Sequence, residues 1–342
     1  MDFDSFNNIK WDIIKQKLNN AKTVKSTRRN DGVYYDISVS FDTETTSMYK
    51  GTPKEKFSFV YVWQFGIDGY YCYGRHWSEF IKLLLKLKEY GGLSTEKKLI
   101  IYIHNLSFEF QFFRKLIPWS SVFAVDNREP VKALSSWGIE FRDSLILSGY
   151  KLANVAKNLT KHKIPKMIGD LDYSLIRNTK TSFTEKELGY MLNDVRILIA
   201  YIDEQREQYG DISHIPLTNT GRVRQLVRKN CFGKNWNTRS KYLDIMNVLQ
   251  LSKSDYIESK KAFAGGFTHA NPNKVGGTFN NVSSIDFTSS YPTVMIAEKY
   301  PSSRAIDYHY KNRTDFEKML EKRLAIFKVK FINLVTKVNQ DN

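Results

Sequence analysis

The sequence is short of the residues that mark several common protein classes. Two cysteines, Cys72 and Cys231, among 342 residues exclude a disulfide scaffold and fit a reducing compartment. The six histidines, at positions 76, 104, 162, 214, 269 and 309, show no zinc-ligand spacing, which excludes a zinc site. No apolar run approaches the roughly 18 residues of a membrane-spanning helix. The opening MDFDSFNNIK lacks a signal peptide's apolar core, so no membrane partner is expected. A Walker-type glycine loop, internal repeats and low-complexity segments are also missing.

What is present is basic and aromatic. Lys and Arg number 52 against 36 Asp and Glu, a net charge of +16, and aromatic residues make up 14% of the chain. Hydrophobic residues at 42% and charged residues at 26% lie in the ordinary globular range, and the length suits two or three domains. A strong positive charge makes nucleic acid the first partner to weigh, although basic surfaces also simply confer solubility.

Residues 1–34 read as a lead-in, with helical spacing over 8–20 and a polar, basic linker after it. From Tyr35 the pattern becomes mixed α/β, and a domain over 35–207 is expected. YYDISVSFDTE reads as a strand, and two further strands join at Asp68-Gly69, a hairpin dipeptide. A helix over 77–90 ends at Gly91-Gly92, KLIIYIHN reads as a buried strand, and a helix follows over 107–116. Short strands continue through 122–143, and a long helix spans 184–207, with Thr184 and Glu187 spaced as a capping box. Residues 208–280 form a basic connecting region, with seven Lys/Arg and no acid between Gly221 and Lys241. A strand over 282–287, a helix over 292–300 and a last strand, LAIFKVKFINLV, suggest a second α/β unit over 281–342.

Three constellations carry chemistry. Asp42 and Glu44 stand at i and i+2 near the end of a strand, so both carboxylates project from one face. Two like charges that close suit a hard divalent cation, although DTETT also reads as a polar strand end. The second, Tyr102 to Glu109, forms the turn from a buried strand into a helix, where α/β proteins place active sites. Asn105 or Ser107 would equally cap that helix, and the phenylalanines around them would equally fill a core. In the third, Tyr190 and Asp194 stand four apart on the long helix and face one way; a lone pair of this kind is ordinarily a solvated face. Together they make four carboxylates around two metals, the set that hydrolyses phosphodiesters.

These segments resemble the three exonuclease motifs of the family B DNA polymerases, specifically the protein-primed phage branch. The resemblance implies an RNase H-like 3′–5′ proofreading domain that uses two Mg²⁺ or Mn²⁺ ions. It implies that Asp42, Glu44, Glu109 and Asp194 hold the metals, Glu109 standing where the family usually has Asp. Tyr190 would orient the attacking water. Thr45, Tyr102, His104, Asn105, Phe108 and Phe112, with the pair Ser144 and Leu145, match positions that grip a single-stranded primer end. The hydrophobic residue that the family carries three positions after Leu145 is Ser148 here. GDLDY, residues 169–173, resembles a further family segment, with Lys166 the nearest counterpart of its lysine.

KAFAGGF, residues 261–267, resembles the YxGG motif that links the two activities of the family. Phe263 replaces its tyrosine, and Gly265 and Gly266 would approach template DNA. DFTSSYP, residues 286–292, resembles polymerase motif A, with Ser290 in its leucine position. Asp286 would be a metal ligand, and Asp286, Ser289 and Tyr291 would frame an incoming nucleotide. No D-x-D follows Tyr291, since Asp307, Asp315 and Asp341 are isolated, so the expected palm is incomplete. The resemblance therefore implies a partial polymerase working on primer-template DNA. It would take dNTP once a second polypeptide completes the palm, with a terminal protein as primer, in the cytoplasm of an infected or lysogenic bacterial host. Two alternatives stay open: a stand-alone metal-dependent exonuclease on single-stranded DNA, and a non-catalytic DNA-binding remnant.

Overall fold

A computed structural model describes residues 3–26, 31–49, 56–165, 175–232, 236–266, 268, 271–330 and 332–333. The chain divides into two compact units, residues 1–227 and 228–342. Among the described residues no helix is long and apolar enough to cross a membrane.

The first unit is a mixed sheet flanked by helices. In chain order it contains β1 (Asp4–Ser5), α1 (Trp11–Asn20), β2 (Thr23–Lys25), β3 (Val33–Tyr35), β4 (Val39–Tyr49), β5 (Lys56–Ile67) and β6 (Tyr70–Gly74). Then come α2 (Trp77–Gly91), β7 (Lys97–Ile103), α3 (Leu106–Phe113), β8 (Trp119–Ala124), β9 (Pro130–Ser135) and β10 (Ile139–Asp143). The helices α4 (Ser144–Ser148), α5 (Leu152–Asn158) and α6 (Glu185–Tyr209) follow, and the boundary at 227/228 falls within the next helix, α7 (Asn219–Phe232). The main path of the sheet runs β1-β6-β5-β4-β7-β10-β9-β8, with β2 and β3 joined to it through β7. The centre is β6, β5 and β4 as an antiparallel meander, with β7 parallel to β4 and β10 parallel to β7. This is the RNase H-like arrangement. The β5–β6 turn uses left-handed Asp68 and Gly69, as the dipeptide predicts.

Strand alternation divides β4 between two cores. Val39 and Phe41 face Phe80, Leu84 and Phe113 of α2 and α3 in the largest apolar cluster. The alternate residues face α6: the Ser38 hydroxyl donates to Asp203 at 2.6 Å and the Ser40 hydroxyl to the Val195 carbonyl at 3.0 Å. The lead-in expected over 1–34 is not separate. Ile14 and Leu18 of α1 are fully buried, β1 pairs β6, and β3 pairs β7, so this segment closes the first unit's core.

The second unit contains α8 (Trp236–Val248), α9 (Lys253–Ala262), α10 (Ser290–Ala297) and α11 (Arg313–Lys322). The strand expected over 282–287 does not form, and 324–330 of the last expected strand is irregular as well. A strand needs a neighbour for its backbone groups, and no described segment pairs with either one. No described residue of this unit is buried.

Candidate metal centre and nucleic-acid interface

The carboxylates sit where β4 passes under α6. Asp42 and Glu44 lie on the α6-facing side of β4, and Asp194 comes from the second turn-pair of α6, held there by apolar Met191 and Val195 packed on Val62 of β5. Carboxylate oxygens of Asp42, Glu44 and Asp194 lie within 4.8 Å of one another, with Glu44 and Asp194 buried. Three anions this close repel unless a cation lies among them, and an all-oxygen donor set suits Mg²⁺ or Mn²⁺. Between Glu44 and Thr45 the ladder to β5 slips by one residue, a bulge that bends the strand beside the cluster. Half-buried Thr45 follows it.

Glu109, in the first turn of α3, is buried on the other side of β4. Its carboxylate accepts a hydrogen bond from the Thr43 hydroxyl and is not one of the three clustered groups. Burial and, after it, the Asp42 charge push the Glu109 carboxyl well above the ordinary range; the Thr43 hydroxyl opposes this and Glu44 adds a smaller push. Glu109 thus feels the cluster electrostatically while bonded away from it. Tyr190 is half-buried one turn before Asp194.

The turns around the site are tied by a residue the sequence reading passed over, Asp143 at the end of β10. One of its oxygens accepts from the Leu106 N–H at 2.8 Å, and the other from the N–H groups of Leu145 and Ile146 at 2.6 and 3.0 Å. It therefore joins the loop carrying His104 and Asn105 to the helix start carrying Ser144 and Leu145. Its signal was an Asp directly before a short polar-to-apolar turn, the pattern of a helix cap. The Ser144 hydroxyl is buried between the His104 ring, 3.0 Å from Nδ1, and the Ile103 carbonyl. Asn105 adopts a left-handed conformation before α3. Phe108, 42% exposed, and half-buried Phe112 meet edge to face at 5.2 Å, an aromatic pair open to solvent. Arg177 secures the far end of β4: its N–H donates to the Thr46 hydroxyl at 3.1 Å, and its guanidinium pairs with Glu187 in the first turn of α6 at 2.7 Å.

Tyr102 lies opposite Ser40 on the α6 side of β7 and is buried among Ile197, Leu198 and Tyr201. Strand alternation put it in the core. Lys166 and GDLDY fall outside the described residues.

The predicted residues of the second unit lie in coil or at the start of α10. Gly265 and Gly266 are in open coil, where an added Cβ would meet nothing within 4 Å. Asp286 is exposed, Ser289 is left-handed at the start of α10, and Tyr291 points to solvent.

No curated protein matches the chain significantly. Two solved structures share its fold over most of its length. Phi29 DNA polymerase complexed with single-stranded DNA is 20% identical at a TM-score of 0.51, covering 70% of this chain and 41% of that one. Phi29 DNA polymerase complexed with primer-template DNA is 19% identical at a TM-score of 0.50, covering 69% and 41%. The chain thus spans about two fifths of the length of these polymerases. Residues 150–342, more than half of the chain, match the family described as DNA polymerase type B, organellar and viral, and the chain belongs to that family.

Proposed function

We propose that the first unit is a metal-dependent 3′–5′ exonuclease acting on the single-stranded end of DNA, and that the chain is the proofreading part of a protein-primed phage DNA polymerase. The observation that carries this reading is the convergence of Asp42, Glu44 and Asp194 from two elements far apart in sequence.

When bound, two divalent cations supply an ionised water as nucleophile and stabilise the charge on the departing 3′ oxygen. Asp42, Glu44 and Asp194 would hold them, with Glu109 completing the donor set as it leaves Thr43. The Tyr190 hydroxyl orients the attacking water against the scissile phosphate. Phe108 and Phe112 offer a stacking surface to the terminal base, and Thr45, His104, Asn105, Ser144 and Leu145 line its approach. The basic run from Gly221 to Lys241 would track the phosphate backbone, so binding should weaken steeply with salt.

The test is release of mononucleotides from a labelled single-stranded oligonucleotide in Mg²⁺. Asp42→Ala/Glu44→Ala should reduce digestion to background and leave the fold intact by circular dichroism. Undiminished digestion by that variant would reject the site.

A polymerase role is the second reading, favoured by the family match over the second unit. Here Asp286, Ser289 and Tyr291 would engage dNTP and Gly265 and Gly266 the template, with a terminal protein as primer. Asp286→Ala should then abolish primer extension by a polymerase that contains these residues. Undiminished extension by that variant would refute this reading.

A further inference from the structure

Gln64 lies directly across the ladder from Asp42, so the two side chains share the α6 face of the sheet. Its neighbours on that face fix its surroundings. Val62 packs with Met191 and Val195, and at Gly66 an added Cβ would stand 2.9 Å from both Ile199 Cδ1 and Ser40 Oγ. Between them, the Gln64 carboxamide is fully buried beneath the turn of α6 that carries Asp194 and Val195. Among the described residues neither Nε2 nor Oε1 of Gln64 has a hydrogen-bond partner. A buried amide with two unsatisfied atoms destabilises a fold, and an apolar side chain of the same shape would fill the space at less cost. Retention of an amide here, beside a cluster of carboxylates, points to a partner gained in another state of the site.

We propose that Gln64 is a positioning residue of the metal centre, its Nε2 donating to the Asp42 carboxylate when the centre is loaded. The inference rests on the metal-site reading above. The amide would donate to one oxygen of the Asp42 carboxylate and so orient it toward the cation, as outer-shell donors do in metal sites generally. Gln64 itself touches neither substrate nor metal.

The test titrates Mn²⁺ alone into the full chain by calorimetry and follows thermal unfolding without metal. Gln64→Met should bind Mn²⁺ about 10- to 100-fold more weakly than the parent. Without metal it should melt at the same temperature or a few degrees higher, because an unsatisfied amide has been removed. A purely structural glutamine would give the opposite pattern: a lower melting temperature with unchanged Mn²⁺ affinity. Unchanged affinity in Gln64→Met overturns the proposal, as does a fall in melting temperature shared by Gln64→Leu. Should Gln64→Met fail to fold, Gln64→Leu carries the same reading. Asp42→Ala/Glu44→Ala, titrated in parallel, separates the two claims. If that variant binds Mn²⁺ as the parent does, the metal site itself is wrong. If it loses binding while Gln64→Met keeps it, only the role of Gln64 is wrong.

Discussion

Residues 97–103 in the first unit and 282–287 in the second both read as short apolar strands, and they fare differently. Leu99 to Ile103 are buried in β7 with β4 and β10 on either side. Ile285 and Phe287 are 92% and 81% exposed in irregular chain. Helices show no such divide. The second unit forms α9 behind a Ser252–Asp255 capping box and α11 behind an Asn312 cap. A helix satisfies its backbone within its own segment, whereas a strand must find a neighbour. An apolar run therefore announces a strand only where the rest of the sheet is at hand.

The sharpest way to break this comparison is to cut into the packed side. Phe80 meets Phe41 at 4.4 Å between ring centroids, Trp63 and Trp77 at 5.7 Å, and Phe113 at 6.0 Å. Phe80→Ala should lower unfolding stability by about 3–5 kcal/mol, read from urea denaturation by circular dichroism. A loss below about 1 kcal/mol would show that this aromatic cluster is not what holds the first unit together.

The same physics explains how much the sequence disclosed. The i, i+2 spacing of Asp42 and Glu44 was legible because strand alternation is local, and Thr184 with Glu187 marked the start of α6 for the same reason. Asp194 was legible only as one of a set, since its partners lie some 150 residues away along the chain. The burial of Tyr102 was not legible because the end of a strand looks alike whichever face a residue takes. Which face β7 turned to α6 depended on its pairing with β4. Thr43, Asp143 and Gln64 escaped notice because their significance lies in cross-strand and cross-loop partners. The first 34 residues looked detached because their apolar positions are few, yet Ile14 and Leu18 are enough to seat α1 against the core.

Smaller effects sharpen the comparison by probing caps and local ties, which both units possess. The Thr184 hydroxyl accepts from the Glu187 N–H at 3.2 Å, and the Glu187 carboxylate accepts from the Thr184 N–H at 2.9 Å. Thr184→Ala should cost about 1 kcal/mol in the same urea assay. No measurable loss would mean that α6 is held by its buried face alone. Glu204 offers a test in pH. Burial pushes its carboxyl up, but the N–H groups of Lys161, His162 and Thr160 outweigh this and hold it below the usual range. A carboxyl lowered in the folded state stabilises above its ordinary pKa, and that contribution disappears as pH falls through the lowered value. Between about pH 5 and pH 3 the parent should lose more stability than Glu204→Gln, by less than the cap contributes because the group is partly solvated. Parallel pH profiles for the two proteins would remove Glu204 from the account.

The smallest effect belongs to the second unit. Phe287→Ser deletes a large aromatic side chain, the kind of change that is ruinous in the first unit. Here the ring lies in solvent, so folding stability should shift by no more than about 0.5 kcal/mol in either direction. The reason is the reference state: a side chain equally wet in the folded and unfolded chain contributes nothing to the difference between them. A loss above about 2 kcal/mol by urea denaturation would mean that Phe287 is buried in solution and that 282–287 has found a strand partner. That partner would be absent from the described fold, and the contrast between the two units would then be one of assembly rather than of sequence.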